Sequence, residues 1–210
     1  MHIVFLVEEL SAEAALFNIV PKILGTSASF EIHPYQCKND LLSKLPQVMR
    51  GYAKWLPRDW RIVVLVDEDR SNCKALKERM ERAADAVGLI TRTKAGSINN
   101  HARFQVLNRI AIEELEAWFF GDVQALNQAY PKIPKTLGHK SRYKDPDSIK
   151  GGTWESMERE LKRSGYFNGG LRKIEAAKTI SAYMEPEKNN SRSFQVFRDG
   201  LREMVRYGYG

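Results

Sequence analysis

Cysteine is nearly absent from this chain: Cys37 and Cys73 are its only two thiols in 210 residues. They are too few for a disulfide scaffold, have no C-x-x-C spacing, and fit a reducing cytoplasm. Long hydrophobic runs are missing too, since no apolar stretch approaches the roughly 20 residues that span a bilayer. The opening Met1-His-Ile-Val-Phe-Leu-Val7 lacks a basic leader and is cut off by Glu8 and Glu9, so it reads as a first strand rather than a secretory signal. No internal repeat, heptad array or low-complexity tract is present. No phosphate-binding glycine loop is present either: Gly151-Gly152 and Gly169-Gly170 match neither a Walker nor a dinucleotide fingerprint and read as turns. No Ser-His-Asp or Cys-His arrangement is recognisable from spacing.

What remains is an ordinary globular composition, 43% hydrophobic and 28% charged, long enough to bury a core unaided. Its charge is unevenly placed. Residues 1–131 hold 16 Lys and Arg against 16 Asp and Glu, whereas residues 132–206 hold 17 against 10, so the entire net charge of +7 belongs to the last third. A polyanion such as nucleic acid is therefore expected against the C-terminal region, and the acids of the first region are left to other work.

Strand and helix patterns alternate along the first 130 residues. Ile3 to Val7 is apolar and β-branched. Ser11 is placed to cap a helix that runs to Leu24 and ends at Gly25. Phe30 to Tyr35 alternates as a strand, and Asn39 or Asp40 can start a helix carrying Leu41, Leu42, Leu45, Val48 and Met49. Ile62 to Val66 is the strongest strand, an unbroken apolar run of the kind buried on both faces. Ser71 to Val87 forms an amphipathic helix, Phe104 to Ile112 a fourth strand, and Glu113 to Phe120 has helical composition. This order predicts an α/β fold with a mainly parallel sheet flanked by helices over residues 1–130. From about Pro131 onward Pro and Gly punctuate a basic, loop-rich segment, followed by helical patterns at Thr153 to Arg163, Leu171 to Met184 and Ser193 to Arg206. Residues 131–210 are thus expected as a basic helical extension packed on the sheet domain.

The chemistry gathers where these strands end. Glu8 and Glu9 follow the first, Asp67 and Asp69 the third, and Glu113, Glu114 and Glu116 the fourth. In an open parallel sheet that edge is where ligands bind, and carboxylates crowded together need a cation. Oxygen ligands without Cys or His suit Mg²⁺ or Mn²⁺ rather than zinc. On a continuous helix Glu113 and Glu116 would share a face, with Glu114 pointing elsewhere. Lys140, Arg142, Lys144, Lys150 and Arg192 are the basic residues expected to contact phosphates.

Val7-Glu8-Glu9 and Val66-Asp67-Glu-Asp69 resemble the strand-end glutamate and the D-x-D of Toprim domains, with Glu9 standing where those domains usually have glycine. Adding Glu113-Glu-Leu-Glu-Ala-Trp118, Gly151-Gly-Thr-Trp154 and Asn190-Ser-Arg-Ser-Phe194, nearly the whole chain resembles the bacterial Toprim-like family designated domain of unknown function 4276. The resemblance implies a Toprim-like sheet and Mg²⁺-dependent phosphoryl transfer on nucleic acid, most simply a nuclease. Glu8, Asp67, Asp69 and Glu116 would then be its catalytic residues, and Glu8, Asp67, Asp69, Glu113 and Glu116 its metal ligands. Glu116 is preferred to Glu113 for its place in the Glu-Ala-Trp motif. A partner ATPase and a role in phage defence are implied by the same resemblance. The alternative is a catalytically inactive binding or regulatory subunit of the same fold.

Several other residues carry plainer readings. His101 and His139 read as incidental loop histidines, Arg103 as half of a structural ion pair, Ser71 as a helix cap, and Trp118-Phe119-Phe120 as a core cluster.

Overall fold

In the computed structural model, which describes residues 1–98 and 103–208, the parallel strands β1 (His2–Val7), β2 (Ser29–Pro34), β3 (Trp60–Asp67) and β4 (Val106–Ala111) form one sheet in the order β2-β1-β3-β4. The apolar runs of β1 and β3 take its two central places, buried on both faces, as such runs require. Helix α1 (Leu10–Leu24) joins β1 to β2, and α2 (Lys38–Trp55) joins β2 to β3. Helices α3 (Cys73–Asp85) and α4 (Arg92–Ile98) lie between β3 and β4. The α/β class, the four strands and their parallel sheet agree with the sequence pattern.

Alternation along β1 divides the core. Ile3, Phe5 and Val7 pack with α1 in one apolar cluster, while Val4 and Leu6 pack with Leu41, Leu45 and Met49 of α2 and Leu76 and Met80 of α3 in the other. The chain after β4 thickens the first of these layers. It contains α5 (Glu116–Phe120), α6 (Val123–Ala129), three 3-10 turns between Leu137 and Ser148, α7 (Thr153–Arg163), α8 (Lys173–Tyr183) and α9 (Arg192–Arg206). Leu161, Ile180, Phe197 and Leu201 from these helices join the same cluster as Ile3 and Leu16. Asn18 Nδ2 of α1 donates to the Lys178 carbonyl and Ser181 Oγ of α8, both at 3.0 Å, and Lys22 Nζ donates to the carbonyls of Ser181, Ala182 and Met184. The basic region is thus fastened to the sheet layer by core and polar contacts together.

Trp118, Phe119 and Phe120 lie in the core, each at most 1% exposed. Trp118 packs edge-on to Phe194, and its indole N–H reaches Ser193 Oγ at 2.9 Å. At the β4 edge, Lys77 Nζ (2.7 Å) and Arg109 Nη1 (3.0 Å) both donate to the Asn108 carbonyl, which blunts an edge that would otherwise invite strand pairing. The Arg109 guanidinium fits against α9 because position 200 is glycine; a Cβ there would lie 2.5 Å from Nη2.

Local expectations fail mainly at helix starts. Helix α1 begins at Leu10 after Glu9, and Ser11 Oγ donates to the Glu9 carboxylate instead of capping. Cys37, not Asn39 or Asp40, precedes α2. Asn72, not Ser71, caps α3, its Oδ1 accepting from Ala75 N–H at 3.1 Å. Helices α4 and α6 lie where no helix is expected from the sequence, each only 7 residues long and too short for periodicity to reveal. Arg103 donates to the Arg58 carbonyl, and His139 is exposed in a 3-10 turn. His101 lies outside the described residues. No helix among them is long and apolar enough to cross a membrane.

Candidate metal centre

The connection after β1 runs to α1 on one face of the sheet, and the connection after β3 runs to α3 on the other. Such divergence opens a crevice at the C-terminal ends of the two strands. Glu8, Asp67 and Asp69 meet there, each offering a carboxylate oxygen, and these oxygens all lie within 4.8 Å of one another. Among the described residues no other His, Cys, Asp or Glu group of three comes together this closely.

Backbone geometry aims the trio. Asp67 N–H donates to Glu8 Oε2 at 2.9 Å, tying the end of β3 to the residue after β1. Asp69 and Arg70 take left-handed φ angles of 46° and 59°, uncommon for non-glycine residues and a sign of a turn held by its surroundings. That holding is visible: Asp69 N–H donates to the Glu113 carbonyl at 2.9 Å, and Glu113 N–H donates to Glu68 Oε2 at 3.2 Å. Lys38, the first residue of α2, lies 2.9 Å from Asp69 Oδ2 and donates to the carbonyls of Asp67 (3.2 Å) and Glu68 (2.9 Å).

The electrostatics describe a site short of positive charge. Burial, with Asp69 and Glu9 adding to it, pushes the Glu8 carboxyl up to about 7 against the opposing Asp67 N–H and Lys38. Asp67, half-buried at the end of β3, is held well above the carboxylate range by burial, then by Glu8, Glu116 and Asp69. Glu116, 4% exposed at the start of α5, is raised to about 7 by burial, with Lys173 opposing. Burial would lower the Lys173 ammonium, but Glu116, Glu9, Glu114 and Asp67 outweigh it and raise its pKa. Desolvation and like charge act in one direction on these carboxylates, and a divalent cation would reverse both. The donor set fits Mg²⁺ or Mn²⁺: oxygen ligands only, with the remaining coordination positions left to water and substrate.

The residues after β4 fall into different positions. Glu113 and Glu116 do not share a helical face, because Glu113 has φ 59° and α5 begins only at Glu116. Neither belongs to the close trio. Glu116 is buried and shares its field, and Glu113, raised chiefly by burial, faces Glu68 and Asp69. Glu114 has a structural assignment that its sequence neighbours conceal. Its Oε2 accepts from Thr153 N–H (2.9 Å), Thr153 Oγ1 (2.8 Å) and Trp154 N–H (2.8 Å), capping α7 from 39 residues away. Gly152 makes that helix start at φ 85°, where a side chain would be strained and would also collide with Glu155. Segments 113–118, 151–154 and 190–194 are therefore hydrogen-bonded neighbours, linked through Glu114 to Thr153 and Trp118 to Ser193.

Of the basic residues, Lys144, Lys150 and Arg192 are exposed. Lys140 lies 3.5 Å from Glu160, and Arg142 donates to the Lys150 carbonyl at 2.8 Å. Lys38 and Lys173, the two cations that face the acids, are not among the phosphate contacts expected from the sequence. Lys38 is 29 residues from Asp67 along the chain, and nothing local marks it.

The family model described as Domain of unknown function (DUF4276) matches residues 7–202, nearly the full chain and almost all of the elements just described. No curated protein and no solved structure matches. The chain belongs to the DUF4276 family.

Proposed function

We propose that this DUF4276 protein is a Mg²⁺-dependent phosphoryl-transfer enzyme acting on nucleic acid, a nuclease of the Toprim type. One observation carries the reading: Glu8, Asp67 and Asp69 converge at the crevice between β1 and β3 with their oxygens within 4.8 Å of one another. They stand at the strand ends where Toprim domains place a glutamate and a D-x-D. These three side chains would hold Mg²⁺ or Mn²⁺, which when bound supplies a Lewis acid for a phosphodiester and lowers the pKa of a bound water. Without a cation the Glu8 carboxyl is pushed up to about 7, so near neutral pH its proton would be displaced by a bound divalent ion and the carboxylate would become a ligand. Asp67 N–H fixes one Glu8 oxygen. Glu116 and Lys173 act on Asp67 by charge, while Glu113 supports the Asp69 turn through its carbonyl. Lys140, Arg142, Lys144, Lys150 and Arg192 supply a basic surface for a polyanion. The proposal extends to a partner ATPase and a role in phage defence, on the family resemblance.

The test is cleavage of single- and double-stranded DNA and of RNA with Mg²⁺ or Mn²⁺, by the protein alone and with a partner ATPase. Activity abolished by Asp67→Asn with Asp69→Asn is the expected result; no cleavage under any of these conditions overturns it.

A second reading, a catalytically inactive Toprim-like binding or regulatory subunit, has one observation in its favour. The Lys38 ammonium already supplies a cation to Asp69 at 2.9 Å, so the crevice is partly neutralised from within. Unchanged metal affinity and unchanged cellular phenotype in the same double variant would decide for this reading.

A further inference from the structure

The two outer strands of the sheet are finished differently. Lys77 and Arg109 blunt the β4 edge, and α3, α4 and α9 pack against that strand. Strand β2 ends the sheet on the other side and has no lysine, a common guard of an open edge. Ser29 N–H donates to the Met1 carbonyl at 3.1 Å and Tyr35 N–H to the Val7 carbonyl at 2.9 Å, so the odd-numbered residues of β2 bond to β1. Phe30 and Ile32 therefore turn both N–H and C=O to the open edge, and Pro34 turns its carbonyl there. Among the described residues no other backbone group meets them. The edge is also apolar on both faces. On the α1 side Phe17 is 65% exposed and meets the Phe30 ring edge-on at 5.9 Å. On the α2 side Trp55 is 57% exposed and joins Tyr52, Trp60 and His2 in a row of ring contacts that ends beside Glu31. Large aromatic rings left in water on both sides of one open strand mark an interaction surface.

We infer that β2 is a dimerisation edge, at which a second copy of this chain adds its own β2, antiparallel, to make one continuous sheet. The charges of the strand select that occupant. Glu31 and His33 share one face, 3.2 Å apart, with Ile32 between them on the other. Turned about a two-fold axis through Ile32, a second copy sets its His33 opposite Glu31 and its Glu31 opposite His33. An imidazole then faces a carboxylate on each side of the axis and donates to it in either protonation state. In the same register Ile32 N–H and C=O exchange bonds with those of the copy's Ile32, and Phe30 N–H donates to the copy's Pro34 carbonyl. The next register in either direction that uses these outward groups sets Glu31 against Glu31 or His33 against His33, which like charge disfavours. The axis is perpendicular to the sheet, so each aromatic flank meets its own counterpart, as a self-complementary interface requires. The two acidic crevices then open in opposite directions, each complete within its own chain. The edge argument is therefore independent of the nuclease reading.

The test is sedimentation velocity of the full-length protein over a concentration series, with circular dichroism to confirm that each variant is folded. Wild type is expected to pass from monomer to dimer with a midpoint between about 1 and 100 μM. His33→Glu sets carboxylates opposite one another and should weaken the dimer by about 10-fold. Glu31→His with His33→Glu exchanges the two charges and should restore it to near the wild-type midpoint, a rescue that mere damage to the strand would not give. Phe17→Ser with Trp55→Ser alters only exposed rings, leaves the strand untouched and should weaken the dimer by about 10-fold or more. Wild type that stays monomeric at about 500 μM overturns the inference and leaves the edge to a strand of another protein. A dimer that neither His33→Glu nor the aromatic pair weakens lies on another surface and overturns it too. A dimer that both weaken but the charge exchange does not restore overturns the antiparallel register.

Discussion

Two sets of acidic side chains in this protein differ in what surrounds them. In the C-terminal layer, Glu114, Asp122, Asp147 and Glu160 are surrounded by donors. Glu114 caps α7, and Asp122 accepts from Ala125 N–H at 3.0 Å and from Glu185 N–H at 2.9 Å. Asp147 accepts from Ser191 Oγ at 2.7 Å and Ser193 N–H at 2.6 Å, and Glu160 accepts from Tyr143 O–H at 2.9 Å. At the crevice, Glu8 and Asp67 are half-buried and Glu116 is buried, and burial together with like charge pushes each carboxyl upward. A buried carboxylate with its donors in place holds the fold together, whereas one left facing other carboxylates is a liability that a bound cation removes. The difference separates scaffold from site without reference to residue type.

The largest expected consequence concerns the crevice. Asp67→Asn with Asp69→Asn should reduce metal-dependent activity by about 10³-fold or more while leaving the metal-free protein as stable as wild type or more so, because it removes like charge. Cleavage assays and urea unfolding in EDTA check the two halves. A double variant that unfolds at lower urea in EDTA would erase the contrast between the two sets of acids.

On the other side, Glu114→Ala removes the acceptor for three donors at the start of α7 and leaves buried N–H groups unpaired, at a cost of about 3 kcal/mol. A lowered urea midpoint with metal affinity intact at temperatures where the variant is folded is the expected pattern. Loss of metal affinity in that folded variant would place Glu114 in the site and break the division.

The third effect depends on pH. Glu8 and Glu116 have carboxyls up to about 7 in the folded chain, above an unfolded value near 4.5. Between those values the folded chain retains protons that the unfolded chain has released, so stability must fall as pH rises through the window and level off above it. In EDTA the loss should amount to several kcal/mol from about pH 4.5 to about pH 7.5, up to about 3 kcal/mol from each group, and saturating Mg²⁺ should abolish it by favouring the ionised forms. Glu116→Gln should flatten the slope. Thermal unfolding across pH with and without metal measures both, and a metal-free stability that rises through this window would show that the crevice carboxylates are satisfied after all.

The strands are legible in the sequence because each is a short apolar run whose burial its own residues dictate: Ile62 to Val66 could lie nowhere but the sheet interior. The D-x-D at the end of that run and Glu8 at the end of β1 are legible with them, since parallel pairing of β1 with β3 brings their ends together whatever the loops do. The segment after β4 is not legible in that way. Glu113, Glu114 and Glu116 look equivalent in a row of acids, and only the turn at Glu113 and the arrival of Thr153 separate a turn former, a helix cap and a buried charge. Helix starts fail for a related reason. Ser11 and Ser71 have capping chemistry, but Glu9 and Asn72 hold the positions, and a shift of one or two residues is beyond what composition encodes.

Lys38 gives the finest test of the comparison, because it is the donor that the crevice does have. Its ammonium holds Asp69 at 2.9 Å and also donates to the Asp67 and Glu68 carbonyls, so it neutralises charge and braces the β3–α3 turn together. Lys38→Met should cost about 1 kcal/mol in the metal-free protein and push the Glu8 carboxyl further up, since Lys38 is one of the groups holding it down. A divalent ion at the trio supplies the missing positive charge, so saturating Mg²⁺ should restore most of the lost stability. Melting temperatures of wild type and variant, each in EDTA and in Mg²⁺, complete a four-way comparison. Equal deficits in both conditions would mean that the lysine acts only as a brace and that the crevice has no charge for a metal to answer.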